Sequence, residues 1–107
     1  MTGPICKKSW SLAGHNYSGQ TELLAESCQV KDVGMLFTAK SPITGWRFNT
    51  LLATTHIPLC DVPKQLSTHL IHTKLDLFAK FCKTYVNKPI LKVAGLNPHA
   101  GEEGILG

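Results

Sequence analysis

Apolar positions follow two patterns along this chain. A periodic pattern predicts helices, and short apolar runs predict strands. Apolar residues recur at steps of three and four between Thr68 and Val86, which predicts an amphipathic helix packed on a sheet. A shorter helix is predicted from Thr21 to Cys28. Short apolar runs bounded by glycine, proline and polar residues predict strands over residues 33–40, 47–54 and 89–94.

The order of these elements predicts an α/β fold. Met1 to Ile5 is expected to be the end of a strand that enters a loop. Turn residues at Ser41-Pro42 and Thr44-Gly45 predict that the strands over 33–40 and 47–54 form a hairpin. Strand, helix, hairpin, helix and strand in succession indicate a mixed sheet flanked by helices.

We expect these elements to be part of a larger α/β domain. No strand precedes Met1, and Gly107 follows a polar loop without a helix or strand that would cover the sheet. We therefore expect residues 1–107 to be a partial α/β domain, the central fragment of a longer polypeptide.

The composition argues against several classes of protein, including nucleic-acid-binding and membrane-spanning proteins. The formal net charge is +4, but the lysines and arginines are scattered and do not alternate with aromatic residues, so a nucleic-acid partner is not expected. No apolar run reaches the roughly 20 residues of a membrane-spanning helix. The four cysteines include no Cys-x-x-Cys pair, which favours reduced thiols and a cytoplasmic location.

Two histidines follow predicted strands closely. His56 lies in Thr54-Thr-His-Ile-Pro-Leu59, and His99 lies in Asn97-Pro-His-Ala-Gly-Glu102. If both strands end at one edge of the sheet, the two imidazoles are candidate ligands of a divalent cation such as zinc, which needs further ligands. The alternative is that each histidine caps its own loop by hydrogen bonding. The residues alone leave both interpretations open.

The start of the first predicted helix is a second candidate site. In Gly19-Gln-Thr-Glu22, free backbone N–H groups, the Thr21 hydroxyl and the Gln20 carboxamide are suited to hold a phosphate or carboxylate. The alternative is an ordinary helix start with Thr21 as the N-cap, and the two interpretations are compatible. Lys7 is either a loop cation for an anionic substrate or a surface residue.

Together these segments resemble a known family. The motifs, in chain order, are Thr2-Gly-Pro-Ile-Cys-Lys7, Ala13-Gly14, Tyr17-Ser-Gly-Gln-Thr-Glu22, Ala53-Thr-Thr-His-Ile-Pro-Leu59, Asp61-Val-Pro63 and Gly95-Leu-Asn-Pro-His-Ala-Gly-Glu102. Over essentially the whole chain, they resemble the 4-hydroxythreonine-4-phosphate dehydrogenases of vitamin B6 biosynthesis. The chain looks like the middle third of such an enzyme.

The resemblance implies a fold and an activity for the full-length enzyme. It implies homodimers of two-domain subunits with the architecture of isocitrate and isopropylmalate dehydrogenases. Such enzymes oxidise the small phosphorylated hydroxy acid 4-phosphohydroxy-L-threonine with NAD(P)+, and the keto acid product loses carbon dioxide. The fragment alone is expected to be inactive.

The resemblance also implies roles for four residues. A divalent metal (Zn, Mg or Co) is expected between subunits, held by three histidines. His56 and His99 match two of them, and the third belongs to a His-Asp-Gln-Gly motif beyond residue 107. The family's substrate-binding His-Thr pair falls on Gln20 and Thr21. Gln20 lacks a titratable imidazole, which puts an acid-base role at this position in doubt.

Other functions stay open at this stage. A relative of this family that acts on another phosphorylated sugar acid, such as threonate or erythronate phosphate, or on a cyclic diol is one alternative. A non-catalytic module that binds a metal or an anion is another. The chain has no Gly-x-Gly-x-x-Gly fingerprint, so nothing within it independently indicates nucleotide binding.

Overall fold

The structure, a computed structural model, describes residues 3–106. In chain order its elements are helix α1 (Lys7–Leu12), helix α2 (Gln20–Ser27), strand β1 (Leu36–Lys40), strand β2 (Arg47–Leu51), a 3-10 turn (Leu59–Asp61), helix α3 (Val62–Gln65), helix α4 (Thr68–Cys82) and a final helical turn (Pro98–Gly104). Helices and a sheet are both present, as predicted for an α/β chain.

The predicted hairpin is confirmed. Strands β1 and β2 pair antiparallel, with Leu36 opposite Leu51 and Lys40 opposite Arg47. The turn between them is closed by the Gly45 N–H, which donates to the Ser41 carbonyl at 3.0 Å. Gly45 has a φ of +70°, a conformation that glycine adopts without steric cost. Turn chemistry therefore fixes the register of the two strands.

The predicted strand over residues 89–94 is wrong. This segment is irregular, and among residues 3–106 the sheet has only two antiparallel strands, so the predicted mixed sheet is not seen there. An apolar run becomes a strand only when a neighbouring strand accepts its backbone hydrogen bonds, and no described strand does so. The strand end expected at Met1 to Ile5 lies partly outside the described residues, and residues 3–5 are irregular.

The two predicted helices are confirmed, with different bounds. Helix α4 starts after Ser67, whose Oγ accepts from the Leu70 N–H at 3.1 Å, and it ends at Cys82, four residues before the predicted end. The short helix α1 was missed because six residues are too few to show a helical period. None of the helices within residues 3–106 is long and apolar enough to span a membrane.

Side-chain contacts join the hairpin and the residues just before it to α4 and the turn that follows α4. The Asn49 amide donates to the Tyr85 hydroxyl, and the Arg47 guanidinium lies 4.9 Å from the centre of the Tyr85 ring. From α4, the Lys74 ammonium donates to the Val33 carbonyl. Gly34 completes the junction, because a Cβ there would lie 2.7 Å from Leu51 Cδ1. These contacts set where the end of β2 lies relative to α4.

The described residues leave much of the apolar surface uncovered. The accessible surface is 8918 Å², whereas a compact protein of this mass exposes about 5,900 Å². The radius of gyration is 17.1 Å, against about 13 Å for a compact domain of this length. Cys82 is the only buried hydrophobic side chain among residues 3–106. Large exposed apolar residues include Phe37, Trp46, Phe48, Ile90 and Val93.

Candidate functional site

The segments that precede His56 and His99 lie along the same cavity. This cavity, of about 540 Å³, is lined by residues 49–54, which contain the end of β2, by residues 92–96, and by one face of α4. The apolar run at 89–94 thus reaches the end of β2 without pairing with it. The structure brings the segments before the two histidines to one cavity, while the role of the histidines as ligands stays a prediction.

His56 lies beside the first turn of α2. Its Nδ1 is 3.8 Å from Oε1 of Glu22. A Cβ on Gly19 would lie 3.9 Å from His56 Cε1 and 3.3 Å from Glu22 Oε2, so the three residues form one cluster. The sequence predicted an anion site at the start of this helix and a metal ligand at His56 separately. The structure makes them neighbours.

Glu22 carries an unusual carboxylate. Its Oε2 is buried and has no hydrogen-bond partner within the described part of the chain. Placing a carboxylate in the first turn of a helix is favourable, because the positive end of the helix dipole lies there. Yet a buried acceptor without a donor is costly, typically by about 1–3 kcal/mol. In the sequence, the signal for Glu22 is its position in the first turn of a predicted helix.

Gln20 and Thr21 are the first two residues of α2, and both are partly buried. The N-cap is Gly19, with an extended backbone and no side-chain capping hydrogen bond. The interpretation of Thr21 as N-cap is therefore wrong, because the helix starts one residue before it. The anion site at this helix start stays a prediction.

His99 belongs to a left-handed turn. Every residue from His99 to Gly104 has a positive φ. The turn is held by the Asn97 amide, which donates to the Leu106 carbonyl at 2.6 Å, and by the Leu106 N–H, which donates to the Gly101 carbonyl at 3.1 Å. A Cβ on Gly95 would lie 2.9 Å from Ala100 Cα, so the turn packs tightly against the preceding backbone.

Both candidate ligands have left-handed backbones. The φ of His56 is +56° and that of His99 is +52°. For an L-residue this region costs roughly 1–2 kcal/mol, and such strain tends to cluster at functional sites. The two loops therefore present their imidazoles from conformations that the surrounding contacts must maintain.

The described residues offer single donors of the kind that a divalent metal takes, and not a complete set of ligands. No group of three or more histidine, cysteine, aspartate or glutamate side chains able to hold a metal occurs within residues 3–106. The His56 side chain is half exposed, at 51%, and Glu22 approaches it at Nδ1, which directs the opposite nitrogen, Nε2, away from Glu22. A neutral imidazole with one nitrogen beside a carboxylate is the usual form of a histidine ligand.

Lys7 and Cys6 lie at the start of α1. Both are exposed, and Lys7 is the first residue of the helix, not a loop residue. The pKa of the Cys6 thiol is lowered chiefly by a hydrogen bond from the Ser9 side chain, and further by the backbone N–H groups of Ser9 and Lys8. Thiolate character at an exposed helix start makes Cys6 the most reactive cysteine expected here.

The chain matches known proteins along its whole length. The family described as "Pyridoxal phosphate biosynthetic protein PdxA" matches residues 1–107. A 4-hydroxythreonine-4-phosphate dehydrogenase of Synechococcus sp. (strain RCC307) is 57% identical over 107 residues, which is 100% of this chain and 33% of the relative.

More distant relatives carry the same name. The protein of Synechocystis sp. (strain ATCC 27184 / PCC 6803 / Kazusa) is 50% identical, and that of Aquifex aeolicus (strain VF5) is 42% identical; each covers 100% of this chain, which amounts to 31% and 32% of the relative. The chain thus spans about a third of the length of the curated relatives it matches. No solved structure matches it significantly. The match over every residue, with the resemblance of its motifs, shows that this chain belongs to the PdxA family of pyridoxal phosphate biosynthetic proteins.

Proposed function

We propose that residues 1–107 are part of an enzyme that oxidises 4-phosphohydroxy-L-threonine with NAD(P)+ and releases carbon dioxide from the keto acid, in the synthesis of pyridoxine 5'-phosphate. The observation that carries this proposal is the 57% identity over the whole chain to a protein named 4-hydroxythreonine-4-phosphate dehydrogenase. The contact between the start of α2 and His56 supports it, because substrate and metal must meet.

The start of α2 is the proposed substrate site. The first N–H groups of the helix and the Thr21 hydroxyl donate hydrogen bonds to an anionic group of the substrate. The Gln20 carboxamide both donates and accepts, so it orients a substrate hydroxyl without exchanging a proton with it. Proton transfer then falls to groups outside these two residues.

His56 and His99 are the proposed metal ligands, with a third histidine supplied from outside residues 1–107. Imidazole ligands suit Zn or Co better than Mg. When bound, the divalent metal supplies Lewis-acid stabilisation of negative charge that develops on the substrate oxygen. Both histidines have left-handed backbones, and the segments that precede them line the cavity beside α4.

The remaining architecture is proposed from the same relationship. Residues 1–107 form a partial α/β domain of a subunit resembling isocitrate and isopropylmalate dehydrogenases, which works as a cytoplasmic homodimer with the metal at the subunit interface. The uncovered apolar surface supports this, because burying it requires further polypeptide or a second subunit. The cofactor contacts are then supplied by the same further residues.

The test uses the full-length polypeptide that contains this sequence. Formation of reduced nicotinamide from 4-phosphohydroxy-L-threonine should disappear with a chelator and return with Zn²⁺ or Co²⁺. His56→Ala and His99→Ala should each abolish it. His72→Ala is the matched control, since His72 is an exposed histidine on α4. Undiminished activity in both loop variants would contradict the metal assignment.

A second candidate substrate class follows from Gln20. This partly buried glutamine stands where the resembling family has histidine, at the start of the proposed substrate site. Threonate or erythronate phosphate, or a cyclic diol, is the alternative substrate. Comparing kcat/KM across these compounds decides between them. A non-catalytic module is less well supported, because the described residues bury so little apolar surface.

A further inference from the structure

We propose that Glu22 is the positioning residue of His56: its carboxylate accepts from Nδ1–H, fixes the ring orientation and leaves Nε2 for the metal. This inference rests on the proposed role of His56 as a ligand. It assigns to Glu22 no contact with the substrate or with the metal itself.

The first support is the approach of the two side chains. His56 Nδ1 and Glu22 Oε1 are 3.8 Å apart, which is beyond a hydrogen bond but within the range of an ion pair. A shift of about 1 Å brings them to ordinary N–H···O distance. The two residues are 34 positions apart in sequence, so the approach is made by the tertiary fold, through β2 and the loop after it.

The second support is the state of the Glu22 carboxylate. One oxygen, Oε2, is buried without a partner among the described residues, while the other faces His56. Oε1 is the oxygen that faces the imidazole, so a hydrogen bond from Nδ1–H would give this carboxylate a donor at Oε1. The same hydrogen bond would fix the tautomer of His56.

The third support is the space that the backbone leaves for this contact. Gly19 borders both side chains, and any Cβ there would lie 3.3 Å from Glu22 Oε2. His56 reaches the cluster from a left-handed backbone, at φ +56°. Among residues 3–106, Glu22 is the partner that the structure gives this imidazole.

If Glu22 positions His56, removing its carboxylate changes the affinity of the protein for the metal. Outer-shell partners of a histidine ligand typically change metal affinity by about 10–100-fold when they are removed. The carboxylate also makes the imidazole a stronger electron donor, which alters the ligand field of a bound transition metal. Both effects are measurable without turnover.

The experiment measures Co²⁺ binding to the full-length protein by competition with a chelating dye, together with the visible absorption bands of the bound Co²⁺. Glu22→Ala should weaken binding by about 10–100-fold and shift the bands. Glu22→Gln, which keeps an acceptor oxygen, should lose several-fold less. Asp76→Ala removes the same charge from the exposed face of α4 and should leave both readouts unchanged.

The outcomes separate this inference from the proposed function. Wild-type affinity and spectrum in Glu22→Ala, with binding lost in His56→Ala, would overturn the role of Glu22 and leave the metal site standing. Wild-type affinity in His56→Ala would overturn both. Where Glu22→Ala does not fold, Glu22→Met decides, because it fills a similar space without an acceptor oxygen and binding identical to wild type in that variant would also overturn the proposal.

Discussion

His56 Nδ1 lies 3.8 Å from Glu22 Oε1, so the loop after β2 meets the first turn of α2. This contact links the two features that the sequence marked for chemistry. A phosphorylated hydroxy acid bound at the start of α2 would place its reacting end within reach of a metal held by His56. On the proposed function, a small substrate and its metal would share one region of the chain.

Gly95→Ala should destabilise the protein by about 1–3 kcal/mol, a typical cost of overpacking. The new Cβ would lie 2.9 Å from Ala100 Cα and 3.2 Å from the Asn97 carbonyl oxygen, both on a turn that cannot move without displacing His99. Chemical denaturation of the full-length protein measures the free energy of unfolding. Gly3→Ala is the control, since a Cβ there meets nothing within 4 Å. Equal stability of the two variants would contradict the packing described.

Gln20→His should add a titrating group to the dependence of kcat/KM on pH. A histidine titrates near pH 6.5 when unperturbed, whereas glutamine does not titrate. Profiles of the wild-type and variant full-length enzymes, compared between about pH 5 and 9, measure this effect. Gln65→His, at the exposed end of α3, serves as the control. Superimposable profiles for all three proteins would place position 20 outside the substrate site.

Cys6 should be alkylated faster than a typical cysteine at neutral pH. The hydrogen bond from Ser9 lowers its pKa, so more thiolate is present below the usual titration range of the group. Ser9→Ala should slow the reaction and move its midpoint to higher pH, whereas Ser11→Ala should not. Mass spectrometry after timed iodoacetamide treatment gives the rate at each cysteine. Cys82, which is buried, should stay protected until unfolding.

Tyr85→Phe should lower the free energy of unfolding, because it removes a hydrogen bond at the junction between the hairpin and the end of α4. The hydroxyl accepts from the Asn49 amide and lies 3.6 Å from Cys82 Sγ, while the ring faces Arg47. Phenylalanine keeps the ring and removes only the hydroxyl. Unfolding of Asn49→Ala, Tyr85→Phe and the double variant tests this. Strictly additive losses would show that the two residues do not interact.

The hairpin and the two longer helices were predictable because local signals specify them. Turn residues at 41–45 fix β1 and β2, and the three- and four-residue spacing of apolar positions specifies α4. The family could also be identified, because its motifs are written in consecutive residues. These features depend on neighbours in sequence, which a single chain displays directly.

The irregular conformation of residues 89–94 and the contact between Glu22 and His56 could not be predicted from the sequence. A strand needs a partner to accept its hydrogen bonds, and the described residues offer none to this segment. The contact between Glu22 and His56 joins residues distant in sequence, so no local period encodes it. The left-handed backbone at His56 could not be predicted either. Glycines near His99 indicate unusual torsion angles in that loop, but no glycine lies next to His56.

The left-handed turn at residues 99–104 has a consequence for chirality. Its residues adopt torsion angles that are the natural ones for D-amino acids, because the mirror image of the right-handed helical region lies at positive φ. Ala100, at φ +54°, has a methyl group small enough to invert. A semisynthetic protein with D-alanine at this position would keep the same turn and relieve its steric cost. Here the handedness of the amino acid, more than its side chain, opposes the shape that the loop requires.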